Sequence, residues 1–322
     1  MLRHPLLHGC LLAAAALICS APAAAQCPAA TPSPDATEQL LRAVRARETE
    51  IGGRIGFHAR HLESGASAGL HAGEPFFMSS VTKLPIAVRV LRQAGRGRIR
   101  LSDTVAIAAA EMSPGHSPLR EAHPAGVSLT VEDLLRRAVS QSDNTASDAL
   151  LRLAGGADSV TAELRRLGFP GVRVDRPYTR LGREVGGRIA AGEERDSMTP
   201  GTATALLAAL HGGRLLAPRE SALLLGWMTR TANPATRIVA GVPEGTVVAH
   251  KTGTWGQPGE RGPAAVNDVG IVTLPGGAGH LAVAIFVRNA AAPDTAVERA
   301  IAAITREAYC HWAAAPTSAA RR

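Results

Sequence analysis

The stretch Phe76–Pro85, FFMSSVTKLP, holds Ser80-Val81-Thr82-Lys83, and the rest of the chain is read outward from it. A Ser and a Lys three residues apart share one face of a helix, about one turn from each other. A helix beginning at Ser80 would put the hydroxyl at the positive end of the macrodipole, with the amine one turn inward. A serine hydroxyl is a poor nucleophile until a base takes its proton. A lysine whose pKa is lowered by burial can be that base.

Composition sharpens this reading. The chain carries 35 Lys plus Arg, yet only two are lysines, Lys83 and Lys251. Arginine stays protonated at neutral pH whereas lysine need not, so two surviving lysines in an arginine-rich chain point to chemistry rather than to charge alone. The alternative is a pair of ordinary surface lysines.

Met1–Ala25 reads as a secretory leader. Arg3 supplies the positive start, Leu11–Ile18 the apolar run, and Ala23-Ala24-Ala25 the small-residue cleavage site. The apolar run is too short to span a bilayer. Neither Cys19 nor Cys27 follows the Leu-small-small pattern of a lipidated cysteine. An exported, periplasmic or secreted product without a membrane anchor is expected.

Cleavage leaves Cys27 and Cys310 near opposite ends, a pair that an oxidising compartment invites into a disulfide. Neither cysteine belongs to a CxxC or Cys/His cluster, and the histidines form no HExxH or HxH pair. No metal and no cofactor are therefore expected. The formal net charge is +8 and the pI about 10.3, which raises nucleic acid as a partner. The arginines are dispersed, however, and 3% aromatic residues leave few stacking platforms, so nucleic acid is not expected. The charge fits solubility or an anionic ligand.

Asp35 is placed as the N-cap of an amphipathic helix to about Glu50. Ile51–Leu62 and Ala68–His71 form a β-hairpin about a Glu63-Ser64-Gly65 turn. From about Leu101 to Leu225 the pattern is helical with breaks. Thr130 opens one helix with a capping-box-like signal. Others follow at Thr145–Leu153, Ala157–Leu167, Pro200–His211 and Pro218–Thr229. Gly168–Thr199 shows little periodicity and reads as a long loop, usually functional or disordered. Strands return at Thr246–Lys251, Ala264–Leu274 and His280–Val287, with Gly253–Gly262 as a hairpin loop. Thr295–Tyr309 is a last helix, and Ala313–Arg322 a disordered tail. The expected fold is mixed α/β. Residues of about 35–80 and 230–312 form a sheet lobe that the chain leaves and re-enters, and about 81–229 form an inserted helical lobe; together 26–312 make the catalytic domain.

Three motifs now stand in order: Ser80-x-x-Lys83, Ser142-Asp143-Asn144 and Lys251-Thr252-Gly253. The set resembles the class A serine β-lactamases, within the penicillin-recognising serine enzymes. Each tripeptide alone is common; all three, on a helix start, an interhelix loop and a strand, are specific. The resemblance covers essentially the whole mature chain. His250–Asn267 and the SQSDN run look most like the extended-spectrum branches.

The resemblance implies a Ser80 nucleophile with Lys83 as its proton partner, Ser142 as a relay to the lactam nitrogen, and Asn144 on the substrate's side-chain amide. Lys251 and Thr252 would face the substrate carboxylate. The backbone N–H groups of Ser80 and Thr254 would form the oxyanion hole, each such donor being worth roughly 3–4 kcal/mol of barrier. Arg237, fourteen residues before Lys251, matches an alternative carboxylate-binding arginine of some members. A monomer acting on a small β-lactam is expected. The departure lies in Gly168–Thr199, which matches the family's Ω-shaped loop, with an Arg176–Asp196 salt bridge across its necks. Where the family has its water-activating Glu, this chain has Tyr178, and Gly182 replaces an Asn that helps hold the water. Three routes to deacylation stay open: slow loss of a lasting adduct, Glu184 folding back over Ser80, or Lys83 itself. Rival readings are a DD-peptidase-like cell-wall hydrolase and a β-lactam-binding protein that stays acylated.

Overall fold

The computed structural model describes Cys27 and residues 35–185, 188–190, 193–232, 235–256 and 262–313. The expected leader 1–25 and the tail after Ala313 lie outside the described residues.

Five antiparallel strands form the central sheet: β1 (Arg54–His61), β2 (Ser67–Leu70), β3 (Val248–Trp255), β4 (Ala265–Thr273) and β5 (His280–Arg288), in the order β2-β1-β5-β4-β3. The period of two sorts β5 between two cores. Val283, Ile285 and Val287 join Ile55 and Phe57 on one face. Ala282, Ala284 and Phe286 point into the other. Because both faces are covered, β5 reads as a nearly unbroken apolar run rather than as alternation, and β4 as one interrupted by Asn267-Asp268.

The first core is closed by α1 (Ala36–Ile51), which brings Leu40, Val44 and Ile51, and by the C-terminal helix, which brings Ile301, Ile304 and Trp312. Gly52, at φ 58°, ends α1 in the left-handed conformation that glycine adopts without strain. Asp35 precedes α1, but its carboxylate makes no capping hydrogen bond. Cys27 and Cys310 form a disulfide, with a Cα–Cα distance of 5.1 Å.

The second core lies against helices. α2 (Lys83–Gly95) buries Leu84, Ile86, Ala87, Val88, Val90 and Leu91, so it is apolar on nearly every side and runs through the middle. Around it stand α3 (Val131–Ser140), α4 (Asn144–Leu153), α5 (Ala157–Arg166), α6 (Tyr178–Glu184), α7 (Pro200–His211) and α8 (Pro218–Thr229); the C-terminal helix, α9, spans Asp294–Ala313. Thr130 caps α3 by accepting from the Asp133 N–H at 3.1 Å.

The structure corrects the expected elements in four places. Thr104–Ala108 and Gly126–Thr130 pair as an antiparallel ribbon inside the supposedly helical block. Each is a five-residue alternation too short to stand out beside long helices. The long loop contains α6, and its ends, Val172–Arg173 and Ser197–Met198, pair with each other, Ser197–Met198 pairing also with Phe76–Phe77. β3 continues past Lys251 to Trp255, opposite Ala265. Finally, the α-helix starts at Lys83, and Ser80 sits in a 3-10 turn, Ser79–Thr82, that precedes it.

Candidate active site

The Ser80 turn is clamped from behind. Asn267, fully buried on β4, donates from Nδ2 to the carbonyls of Phe77 at 2.9 Å and Met78 at 3.0 Å. Ser79 takes a left-handed φ of 49°, and its hydroxyl donates to the Thr254 carbonyl at 2.7 Å. Strand β3 passes so close that a Cβ on Gly253 would stand 2.5 Å from the Met78 carbonyl and 3.1 Å from the Ser80 nitrogen. Glycine in Lys-Thr-Gly is therefore a spacing requirement. The backbone of Gly253 and Thr254 thus lies against the turn that carries Ser80.

Lys83 is 1% exposed, and its Nζ donates to Ser80 Oγ at 2.9 Å, Ser142 Oγ at 3.3 Å and Asn144 Oδ1 at 2.8 Å. Lys251 is fully buried and reaches the same Ser142 Oγ at 2.9 Å, while donating to the Thr252 carbonyl at 2.9 Å. Ser142 sits at φ 57°, a strained conformation for a non-glycine residue. It is held there because Asp143 caps α4: its Oδ1 accepts from the Ala146 N–H at 2.8 Å and its Oδ2 from the Leu119 N–H at 2.6 Å. Burial, then the nearby Lys251 charge, pushes the Lys83 pKa well below the ordinary lysine value. Burial lowers Lys251 to about 7; Asp268 opposes the shift and Arg237 adds to it.

Arg237 is 7% exposed, not a surface residue. Its guanidinium donates to the carbonyls of Gly253 at 3.1 Å and Asn267 at 2.9 Å, to Thr254 Oγ1 at 2.7 Å, and to Glu298 at 3.0 and 3.1 Å. One cation thus braces β3 beside Ser80 and keeps a nitrogen on the exposed Thr254 hydroxyl. Glu298 supplies the charge partner that makes its burial tolerable. Thr252 is buried in the same strand.

The loop necks close as an Arg176–Asp196 ion pair, with Nε 2.5 Å from Oδ2. The loop helix α6 then starts at Tyr178. Its phenol is buried and donates to the Ser79 carbonyl at 3.1 Å, with the Lys83 Nζ 4.1 Å from the ring centroid. Burial, then the Asp148 and Asp196 charges, pushes the phenol pKa far above its usual range. Asp148 accepts from the N–H groups of Tyr178 at 2.6 Å and Thr179 at 2.9 Å, where a helix N-terminus needs acceptors.

The structure therefore brings Ser80, Lys83, Ser142, Asn144, Lys251 and Tyr178 into one contact network, with Thr252, Thr254 and Arg237 along its β3 edge. Residues 37–312 match the model of a β-lactamase enzyme family. The chain belongs to the β-lactamase enzyme family. It is 32% identical over 238 residues to the extended-spectrum β-lactamase PER-1 of Pseudomonas aeruginosa, covering 73% of this chain and 75% of that one. It is 29% identical over 278 residues to a β-lactamase of Rhodobacter capsulatus, covering 84% and 89%. Among solved structures, a β-lactamase from Chitinophaga pinensis superposes with a TM-score of 0.78 at 32% identity, covering 84% of this chain and 98% of that one. A variant of the last common ancestor of Gram-negative bacteria class A β-lactamase gives 0.74 at 29%, covering 84% and 96%. The chain is a class A β-lactam hydrolase.

For this β-lactamase the loop acid needs correction. Glu184 is exposed; its carboxylate is held by Arg180 at 2.7 Å and lies 3.9 Å from Arg195, rather than folding back on Ser80. Sequence reasoning missed the acid that does approach the centre. Asp148 lies four residues after Asn144 in α4, hence on the same helix face, and that spacing was the available signal. Its charge acts on Lys83, but both of its oxygens are taken by the start of α6.

Proposed function

We propose that this β-lactamase opens the ring of penicillins and cephalosporins through a Ser80 acyl-enzyme, as an exported resistance enzyme acting as a monomer in the periplasm. The observation that carries the reading is the buried Lys83 Nζ at 2.9 Å from Ser80 Oγ, its pKa depressed by burial. Neutral Lys83 takes the Ser80 proton as Oγ bonds to the lactam carbonyl carbon. The oxyanion accepts from the N–H groups of Ser80 and Thr254. As the C–N bond breaks, the Ser142 hydroxyl gives its proton to the nitrogen and is refilled from Lys83, 3.3 Å away. Lys251 and Thr252 face the substrate carboxylate, and Thr254 Oγ1, which accepts from Arg237, is left with its own proton to donate to it. Asn144 receives the side-chain amide.

Deacylation falls to Lys83 as well. Glu184 is engaged by arginines, Asp148 by backbone N–H groups, and the Tyr178 phenol is too weak an acid to be ionised at neutral pH. After acylation Lys83 is again neutral. It takes a proton from water as the oxygen attacks the ester carbonyl, then returns a proton to the departing Ser80 Oγ. Tyr178 instead holds the Ser79 carbonyl, whose peptide carries the Ser80 N–H. The DD-peptidase-like alternative shares this machinery, and the position of Tyr178 keeps a slow-turnover trap as the second reading. Intact mass after mixing with a penicillin tests all three. The expected result is an adduct of the whole penicillin that decays with release of the opened acid and is absent in Ser80→Ala. A permanent adduct without turnover of any peptide means a trap; D-Ala release from a cell-wall peptide by the same Ser80 means the peptidase, whatever becomes of the penicillin adduct.

A further inference from the structure

A second cluster lies at the other end of the sheet. Glu63, His211 and His280 each offer a ligand atom, and these atoms lie within 4.8 Å of one another. No short histidine spacing marks them in the sequence; the fold assembles them. Glu63 follows β1, His211 is the last residue of α7, and His280 is the first of β5. The two imidazole centroids are 4.3 Å apart at 47°. Glu63 accepts from the His280 ring Nδ1 at 2.7 Å and from its backbone N–H at 2.8 Å. His61 adjoins, with Nε2 3.6 Å from Glu63 and 2.6 Å from the Ala278 carbonyl.

We propose that Glu63, His211 and His280 form a binding site for a borderline first-row divalent cation of the zinc class. Two imidazole nitrogens and one carboxylate oxygen suit Zn²⁺, Ni²⁺ or Co²⁺, whereas Mg²⁺ and Ca²⁺ favour all-oxygen shells. The Glu63 carboxylate is already turned toward the cluster by its two hydrogen bonds from His280. Ligand bonds of about 2.0–2.2 Å put tetrahedral donors about 3.3 Å apart. The Glu63–His280 contact must therefore open by roughly half an ångström as the cation displaces the proton between them. Water fills the fourth position.

The bound cation would staple the end of α7 to the start of β5 and the turn after β1. It binds the folded chain and not the unfolded one, so it stabilises without touching the chemistry. Asn267, which clamps the Ser80 turn, pairs with Phe286 of β5. Phe286 stands six residues after His280, about 20 Å along the strand, so the two sites are well separated.

The test is calorimetric titration of the untagged, disulfide-intact mature protein with ZnCl₂ and NiCl₂, with MgCl₂ as control, paired with thermal unfolding in each salt. One equivalent of Zn²⁺ should bind and raise the unfolding midpoint, and Mg²⁺ should do neither. His211→Ala and His280→Gln should each weaken Zn²⁺ binding by about tenfold or more and remove the midpoint shift, with β-lactam hydrolysis unchanged. The proposal is overturned if the wild type takes up no stoichiometric Zn²⁺. It is equally overturned if both variants bind and stabilise as the wild type does, which would place the ion on other histidines.

Discussion

Replacing Tyr178 by Phe removes one oxygen and tests what the residue does in place of a carboxylate. The phenol donates to the Ser79 carbonyl at 3.1 Å, and that carbonyl shares a peptide with the Ser80 N–H. A hydrogen bond accepted at C=O polarises the peptide and strengthens donation from N–H, by about 10–30% per bond. Applied to an oxyanion donor worth roughly 3–4 kcal/mol, this gives about 0.3–1.2 kcal/mol, or about a two- to eightfold change in rate. Both half-reactions pass through an oxyanion, so Tyr178→Phe should slow acylation and deacylation by the same few-fold. The buried Ser79 carbonyl also loses a partner, at a stability cost of about 1–3 kcal/mol. Stopped-flow acylation by a chromogenic cephalosporin, followed by single-turnover deacylation, measures the two rates separately. If deacylation alone fell by about a hundredfold or more, the phenol would be a proton carrier and this reasoning would be wrong.

Lys83→Arg keeps the charge but cannot accept the Ser80 proton; acylation followed by mass should fall by about 10²–10⁴-fold, and a near wild-type rate would remove Lys83 as the base. Lys251, lowered to about 7 by burial, binds fewer protons folded than unfolded, whose value is about 10.4. Stability should therefore rise with pH between those values, by at most about 1.4 kcal/mol per unit. Denaturant titrations of wild type against Lys251→Met at pH 7 and 9 should show a smaller rise in the variant, the remainder belonging to Lys83, which burial also depresses. The Cys27–Cys310 disulfide spans 283 residues, for which chain entropy gives a ceiling of about 5.6 kcal/mol. Cys27→Ser should lower stability by an amount under that ceiling, and thiol titration of the denatured, unreduced protein should find no free thiol.

The ordering of Ser80-x-x-Lys83, Ser142-x-Asn144 and Lys251-Thr-Gly was legible because each motif is local and each falls on an element with its own pattern. The three long strands and, α6 excepted, the helices from Val131 onward were readable for the same reason. What escaped reading depends on contacts between distant segments. The 3-10 turn at Ser80 exists because Asn267 and Thr254, about 180 residues on, hold its carbonyl and hydroxyl groups. Arg237 was picked out by its place before Lys251, but its bracing of β3 appears only once β3, β4 and Glu298 are folded around it. Glu184 was a reasonable acid by composition, but its i,i+4 partner Arg180 claims it locally. Asp148 was concealed because α6, which it caps, was itself unrecognised in a segment without periodicity.

The central claim is that Lys83, and no carboxylate, serves both halves of the reaction. Its most direct test is the deacylation rate of the isolated Ser80 acyl-enzyme, read by intact mass between about pH 5 and pH 9. A lysine base predicts a rate that climbs with pH, about tenfold per unit, until Lys83 is fully neutral. A rate that is flat across this range and falls only below about pH 5 would be the signature of a carboxylate base, and would contradict the account.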